Sequence, residues 1–211
     1  MKLWSLGGGP GHLPYAVYDY LRDGLNRRLA DYLVRALARH RPGVRAARVL
    51  EAGAGPGSAS SVLRERGLRA ATLDLDGEAC RVARRRDPAL WVVRGDLYAL
   101  PFAAGAFDLV WSSSTIEHFA DPDPIFAEMV RVTAPGGLVF VGAPLRSGPL
   151  EALARVPPAA VGEWVGRRTS CVELAARLAR HGVEPLEDRV YFFRFFVGVL
   201  GRVPRRGRAR G

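Results

Sequence analysis

Val49-Leu50-Glu51-Ala52-Gly53-Ala54-Gly55-Pro56-Gly57 is the stretch on which the reading of this chain turns. A short apolar run of strand type meets three glycines at alternating positions, and residues 58 to 66 continue at helical spacing. Glycines there let the backbone turn tightly between strand and helix and let a ligand lie against it, in the crevice at the carboxyl ends of the strands. A tight strand-to-helix turn with no ligand would use the same residues.

Outward from that loop, short apolar runs alternate with helical patterns. Strands are expected at 48–51, 70–74, 91–94, 107–111 and 138–142, and helices at 58–66, 78–86 and 125–133. That alternation predicts a parallel sheet with helices on both faces. Before it, Val17, Tyr20, Leu21, Leu25, Leu29, Tyr32, Leu33 and Leu37 lie at helical spacing within residues 15–40, a long amphipathic helix stopped by Pro42-Gly43. After it, residues 144–168 are rich in Pro and Gly and show no period. Ser170 and Glu173 form a capping box for a helix to His181, ended by Gly182. Residues 190–200 read either as an antiparallel strand pair or as a helix, with the antiparallel strand preferred.

Composition sets the outer limits. A chain of 211 residues that is 48% hydrophobic holds one well-buried core. Its longest apolar stretches, 136–145 and 195–201, fall short of the roughly 20 residues of a membrane-spanning helix. Leu3 to Leu6 is too short for a secretory signal, so a cytoplasmic location is expected. Cys80 and Cys171 lack metal-ligand or disulfide-framework spacing and are expected to be core thiols. The net charge of +10 invites a nucleic-acid partner, but Arg202, Arg205, Arg206, Arg208 and Arg210 carry half the excess in one Gly/Pro/Arg tail. Lys2 is the only lysine among 31 basic residues, which points to a biased composition and away from a selected phosphate-binding surface. Nucleic acid is therefore possible and not favoured.

A dinucleotide fingerprint would want a small residue at position 58, which Ser58 supplies, but an acid just before the glycines is foreign to that pattern. Glu51, Gly53, Gly55 and Gly57 instead match an acid followed by G-x-G-x-G. Four further stretches fall in the same order: Leu73-Asp74-Leu75-Asp76; Gly95-Asp96-Leu97 with Leu100-Pro101-Phe102; Phe107-Asp108-Leu109-Val110 leading through Ser112 to Glu117-His118; and Arg131 to Gly137. Over residues 47–143 the chain resembles a class I S-adenosylmethionine-dependent methyltransferase, with Ala134 in place of the usual lysine of the last turn.

The resemblance implies a Rossmann-like α/β fold, S-adenosylmethionine as cofactor and methyl transfer as the activity. It divides the chain into an N-terminal segment and capping helix (1–43), a cofactor-binding domain (44–201) and a basic, disordered tail (202–211). Asp74, about 20 residues beyond the first glycines, is placed to accept both hydrogen bonds of a ribose diol, or is a solvated loop carboxylate. Asp96 and the backbone N–H of Leu97 would serve the adenine, or Asp96 is a plain turn residue. Glu51 would hold the cofactor's ammonium or order the glycine loop, and Ser112 lies in the stretch facing the cofactor. Asp76 is expected to begin the next helix. His118 is the candidate base, since imidazole takes a proton near neutrality and the family places this loop beside the transferred methyl; packing against the next helix is its other reading, and Glu117 is an equally open neighbour. Ser112-Ser113-Ser114-Thr115 stands where N-P-P-Y, D-P-P-Y or a cysteine would be needed, which argues against DNA amino methylation and cytosine C5 chemistry. The expected acceptor is a small molecule, and no metal is expected. RNA or protein methylation and a non-catalytic cofactor-binding subunit are the alternatives. Tyr15, Tyr18, the glycines at 7–11 and Trp164 either form the lid and wall of the acceptor site or simply pack against the core.

Overall fold

The computed structural model describes residues 13–147 and 167–205, with side chains from residue 24 onward. The expected lid at 7–11, Tyr15 and Tyr18 as side chains, Trp164 and the tail from 206 lie outside what is described. The elements are α1 (Leu13–His40), β1 (Arg48–Ala52), α2 (Ser58–Glu65), β2 (Arg69–Asp74), α3 (Gly77–Arg86), β3 (Trp91–Arg94), β4 (Phe107–Ser113), a 3-10 turn (Ile116–His118), α4 (Asp123–Val132), β5 (Thr133–Pro144), α5 (Cys171–Arg180), β6 (Glu184–Tyr191) and β7 (Phe196–Arg202).

The strands form one sheet in the order β3-β2-β1-β4-β5-β7-β6. β1 is parallel to β2 and β4, β2 to β3 and β4 to β5, whereas β7 is antiparallel to both β5 and β6. Parallel strands buried on both faces need nearly continuous apolar sequence, and β1 and β4 supply it. On one face, Leu29, Leu33, Ala36 and Leu37 of α1 pack with α2 on Val49, Leu109, Trp111 and Phe140. On the other, Ile125, Phe126 and Met129 of α4 and Leu174 and Leu178 of α5 cover Leu50, Val110, Val139 and Val141. Each fully buried leucine of these layers contributes about 2 kcal/mol of transfer free energy. The described part of α1 thus shares the core of the sheet, which joins the expected N-terminal segment to the expected cofactor domain.

Polar contacts lock the joints. Asp108 accepts from Arg48 N at 2.9 Å and from Arg41 Nη2 at 3.0 Å, tying the α1–β1 connection to the start of β4. Arg131 donates to the carbonyls of Leu100 and Phe102 and to Glu128, so the turn before β5 pins the Leu100-Pro101-Phe102 loop. The capping box forms as the sequence predicts, with Ser170 Oγ accepting from Glu173 N and Glu173 Oε2 from Ser170 N.

Residues 190–200 are the end of one strand, a turn and most of another. The sequence reading missed most of β6 because it is a largely exposed edge strand, Glu184-Pro185-Leu186-Glu187-Asp188-Arg189, with an irregular register between Pro185 and Glu187 that breaks the alternation. The tail boundary drawn after Gly201 falls inside β7, and Val203 N still donates to Gly137 O at 2.9 Å. Cys80 is buried as expected; Cys171 is only partly buried in the first turn of α5, and burial pushes its thiol up to about 11. No described helix is long and apolar enough to cross a membrane.

Candidate functional site

β1 and β4 lie side by side at the centre of the sheet, where the strand order reverses, and the loops at their carboxyl ends meet there. Gly53, Gly55 and Gly57 all have left-handed backbones, with φ of 78°, 53° and 68°. They differ in what surrounds them. A Cβ on Gly53 would strike the Thr115 side chain, whereas one on Gly55 would meet nothing within 4 Å. The middle glycine therefore presents bare backbone to open space, as a loop that receives a ligand must.

The loop is held from two sides. Gly53 N and Ala54 N donate to Leu73 O at 2.9 and 3.1 Å, and Gly55 N donates to Asp74 Oδ2 at 2.7 Å. The other oxygen of Asp74 accepts from Asp76 N at 2.8 Å, while Asp76 itself caps α3 by accepting from Glu78 N. Asp74 thus bridges the glycine loop and the end of β2. A carboxylate has about four acceptor positions, so two amide donors leave capacity for two more hydrogen bonds. On the β4 side, Thr115 Oγ1 donates to Gly53 O at 2.9 Å.

The remaining cofactor-side candidates are unevenly placed. Glu51 is buried, and its Oε2 accepts from Ser60 N at 3.0 Å and Ser60 Oγ at 2.5 Å, which orders the start of α2. Asp96 is exposed and its Oδ1 accepts from Tyr98 N at 2.9 Å, an Asx-type turn, followed by buried Leu97. Ser112 is 1% exposed inside β4, and its hydroxyl has no partner among the described residues. It has no open surface, in contrast to Asp74 and Gly55.

Beyond β4 the chain enters a polar cluster. Ser114 adopts φ 60°, and Ile116–His118 form a 3-10 turn that buries Glu117 and leaves His118 half-exposed. Burial raises the Glu117 carboxyl to about 7, and its Oε2 lacks a partner among the described residues. Burial lowers the His118 imidazole from its ordinary value. The two side chains come within 3.9 Å. Arg167 N donates to Glu117 O at 3.0 Å, so the far end of the 144–168 connection is fastened to this turn.

Tyr191, at the end of β6, is a site residue that sequence reasoning missed. Its hydroxyl lies 2.8 Å from Ser113 Oγ, in the space that a Cβ on Gly142 of β5 would fill, and burial raises its pKa. Thr115 was missed as well. The only local signal was the hydroxyl run 112–115; nothing near Tyr191 in sequence points to β4. Among the described residues no group of His, Cys, Asp and Glu is placed to hold a metal ion.

The methyltransferase-domain family model matches residues 50–141. A malonyl-[acyl-carrier protein] O-methyltransferase of Enterobacter lignolyticus (strain SCF1) is 38% identical over 115 residues, 54% of this chain and 44% of that protein. The chain therefore spans less than half the length of that relative. A demethylmenaquinone methyltransferase of Renibacterium salmoninarum is 34% identical over 164 residues, 74% of this chain and 68% of that protein. Among solved structures, magnesium protoporphyrin IX methyltransferase of Synechocystis PCC 6803 with bound SAH superposes with a TM-score of 0.70 at 14% identity, covering 88% of this chain and 86% of that one, which shows a shared fold. With the sheet order, the glycine loop and these likenesses together, the chain belongs to the class I S-adenosylmethionine-dependent methyltransferases.

Proposed function

We propose that the chain transfers a methyl group from S-adenosylmethionine to a small-molecule acceptor. The observation that carries this reading is the junction of a left-handed glycine loop with the Asp74 carboxylate at the β1/β4 switch point. The residues fit the cofactor. Open space above Gly55 admits a ligand against the backbone, and the spare acceptor capacity of Asp74 suits a ribose diol. Gly53 and Gly57 shape the loop, and Asp96 with the Leu97 N–H is assigned to the adenine side. Glu51 acts on the loop through Ser60, with an ammonium as its candidate partner in the ligand, and Ser112 supports the β4 end from within the strand.

When bound, the sulfonium supplies a methyl group already attached to a good leaving group. The protein's own task is then to position the acceptor, exclude water and take up a proton where the acceptor loses one. His118, half-exposed with a lowered pKa, is the proposed proton acceptor. Glu117, buried beside it and titrating near neutrality, is the second group able to hold that proton.

Relatives named for malonyl-[acyl-carrier protein] and for demethylmenaquinone support an acceptor other than nucleic acid. The point at which the described chain leaves the sheet does too. Arg202 is the last residue of β7, paired with Leu138 near the amino end of β5, and the Arg205 side chain lies against Gly136. The chain thus leaves the sheet at the edge opposite the glycine loop. RNA or protein methylation is the second reading, motivated by the tail arginines at 206, 208 and 210. Methyl-labelled S-adenosylmethionine incubated with the chain and a fractionated cell extract tests the proposal. Label in the small-molecule fraction is expected. Label confined to RNA or to protein side chains selects the second reading, and cofactor binding without transfer to any fraction selects a non-catalytic subunit.

A further inference from the structure

A cavity of about 190 Å³ lies between α1 and the β6–β7 turn. We infer that it binds a carboxylate carried on an apolar body, the anionic end of the acceptor. Identification of the ligand as the acceptor rests on the proposed methyl transfer; the anion site itself does not.

Its position follows from topology. β7 is antiparallel to both β5 and β6, so β6 runs in the direction of β5 and ends, at Tyr191, on the carboxyl edge of the sheet. Tyr191 lines the cavity, and its hydroxyl meets Ser113 Oγ at the end of β4. The cavity is therefore one side chain removed from the loop that carries Glu117 and His118.

Its chemistry is cationic and apolar at once. Leu25, Leu29, Tyr191 and Phe193 supply apolar wall, Arg28 and Arg189 supply two guanidinium groups, and among the described residues no acidic side chain lines it. Neighbouring arginines are paired: Arg27 with Glu65, Arg39 with Glu187 and Arg66 with Asp31. Arg28 and Arg189 have no ion pair among the described residues. The Arg189 guanidinium carbon lies 3.8 Å from the centroid of the Tyr32 ring, which fixes its plane, and its Nε is buried without a partner among the described residues. A planar fork held in this way matches the two oxygens of a carboxylate.

The rim is built at a cost. Phe192, Phe193 and Arg194 have consecutive left-handed backbones, φ 52°, 53° and 68°, and Phe193 stays 70% exposed. Strain of this kind in non-glycine residues concentrates where a surface is shaped for a ligand. The volume is below the roughly 300 Å³ at which whole-ligand pockets begin, so the cavity takes one end of the acceptor and leaves the reacting end outside it.

Phenylacetate and its uncharged isostere phenylacetamide, titrated into the full chain and followed by NMR, test the inference. Phenylacetate should bind at least fivefold more tightly than the amide, and Arg28→Gln or Arg189→Gln should bring the acid down to the level of the amide. Arg81→Gln, at an exposed arginine of α3 that does not line the cavity, controls for general attraction to a basic chain and should change neither. S-adenosylhomocysteine affinity, measured in parallel by calorimetry, should stay within twofold in Arg28→Gln. Equal binding of acid and amide, binding of neither, or an equal loss in Arg81→Gln overturns the inference. Should S-adenosylhomocysteine fail to bind while the Arg28-dependent preference for the acid persists, the methyltransferase reading fails and the anion site stands.

Discussion

The two halves of the carboxyl edge are assembled differently. Around the glycine loop, most of the hydrogen bonds that shape the site join residues near one another in sequence, Glu51 to Ser60, nine apart, and Gly55 to Asp74, nineteen apart, with Thr115 to Gly53, 62 apart, as the longer reach. On the side of β6 and α1 the partners are remote: Ser113 meets Tyr191 across 78 residues, and Tyr32 donates to Glu187 across 155. The first half is made of backbone turns and two carboxylates, and the second of side chains from three elements, α1, β4 and β6. A site written in backbone geometry needs particular glycines at fixed spacing, whereas one written in packed side chains constrains each position only weakly.

That contrast predicts unequal responses to mutation. The largest belongs to Gly53→Val, which combines a φ of 78° with a collision against Thr115; a loss of about 3 kcal/mol or more in chemical denaturation is expected. Gly55→Ala, with the same sign of φ but open space around it, should cost only about 1 kcal/mol. Similar costs for the two would remove the distinction between the packed and the open glycine.

In the second half the strongest effect is pH-dependent. Glu117 titrates at about 7 in the folded chain against an ordinary 4.5. Below about pH 4.5 both folded and unfolded states hold its proton and it costs nothing. As pH rises from there to about 7 the unfolded state loses the proton more readily, so stability falls, and above 7 the loss is complete. Glu117→Gln should therefore be neutral near pH 4.5 and stabilising by up to about 3 kcal/mol at pH 8, as read from urea midpoints. A difference that does not change with pH would contradict the buried acid.

Tyr191→Phe should cost about 1 to 2 kcal/mol, because it leaves the Ser113 hydroxyl without its tyrosine partner, and should leave S-adenosylhomocysteine affinity unchanged. A fall in that affinity would mean that the two halves are one site. The smallest effect is expected from deleting residues 206–211, which follow a chain leaving at the opposite edge: cofactor affinity should not change in calorimetry.

Legibility in the sequence followed the same division. The parallel strands were readable because burial on both faces demands apolar runs, as in Val49-Leu50 and Leu109-Val110-Trp111. Asp74 was singled out by its distance to the glycines as a ribose partner; what the structure shows is its bond to Gly55 N. β6 was not, since an edge strand with Pro185 and four charged residues carries no period-2 signal. Nor could Tyr191 be assigned, because its partner Ser113 lies in another strand separated from it in the sheet by β5 and β7. For Glu51 the sequence left two roles open; the structure shows its carboxylate bonded to Ser60 in the first turn of α2.

The central claim is that Asp74 joins the glycine loop to the cofactor. Calorimetric titration of S-adenosylmethionine into the parent chain and into Asp74→Ala, with folding of both verified by circular dichroism, tests it most directly. Loss of two hydrogen bonds to a charged acceptor should weaken binding by about 2 to 4 kcal/mol, some thirtyfold to nearly a thousandfold. A folded Asp74→Ala chain that binds S-adenosylmethionine as tightly as the parent would contradict the assignment of this carboxylate, and with it the placement of the cofactor at the β1/β4 switch point.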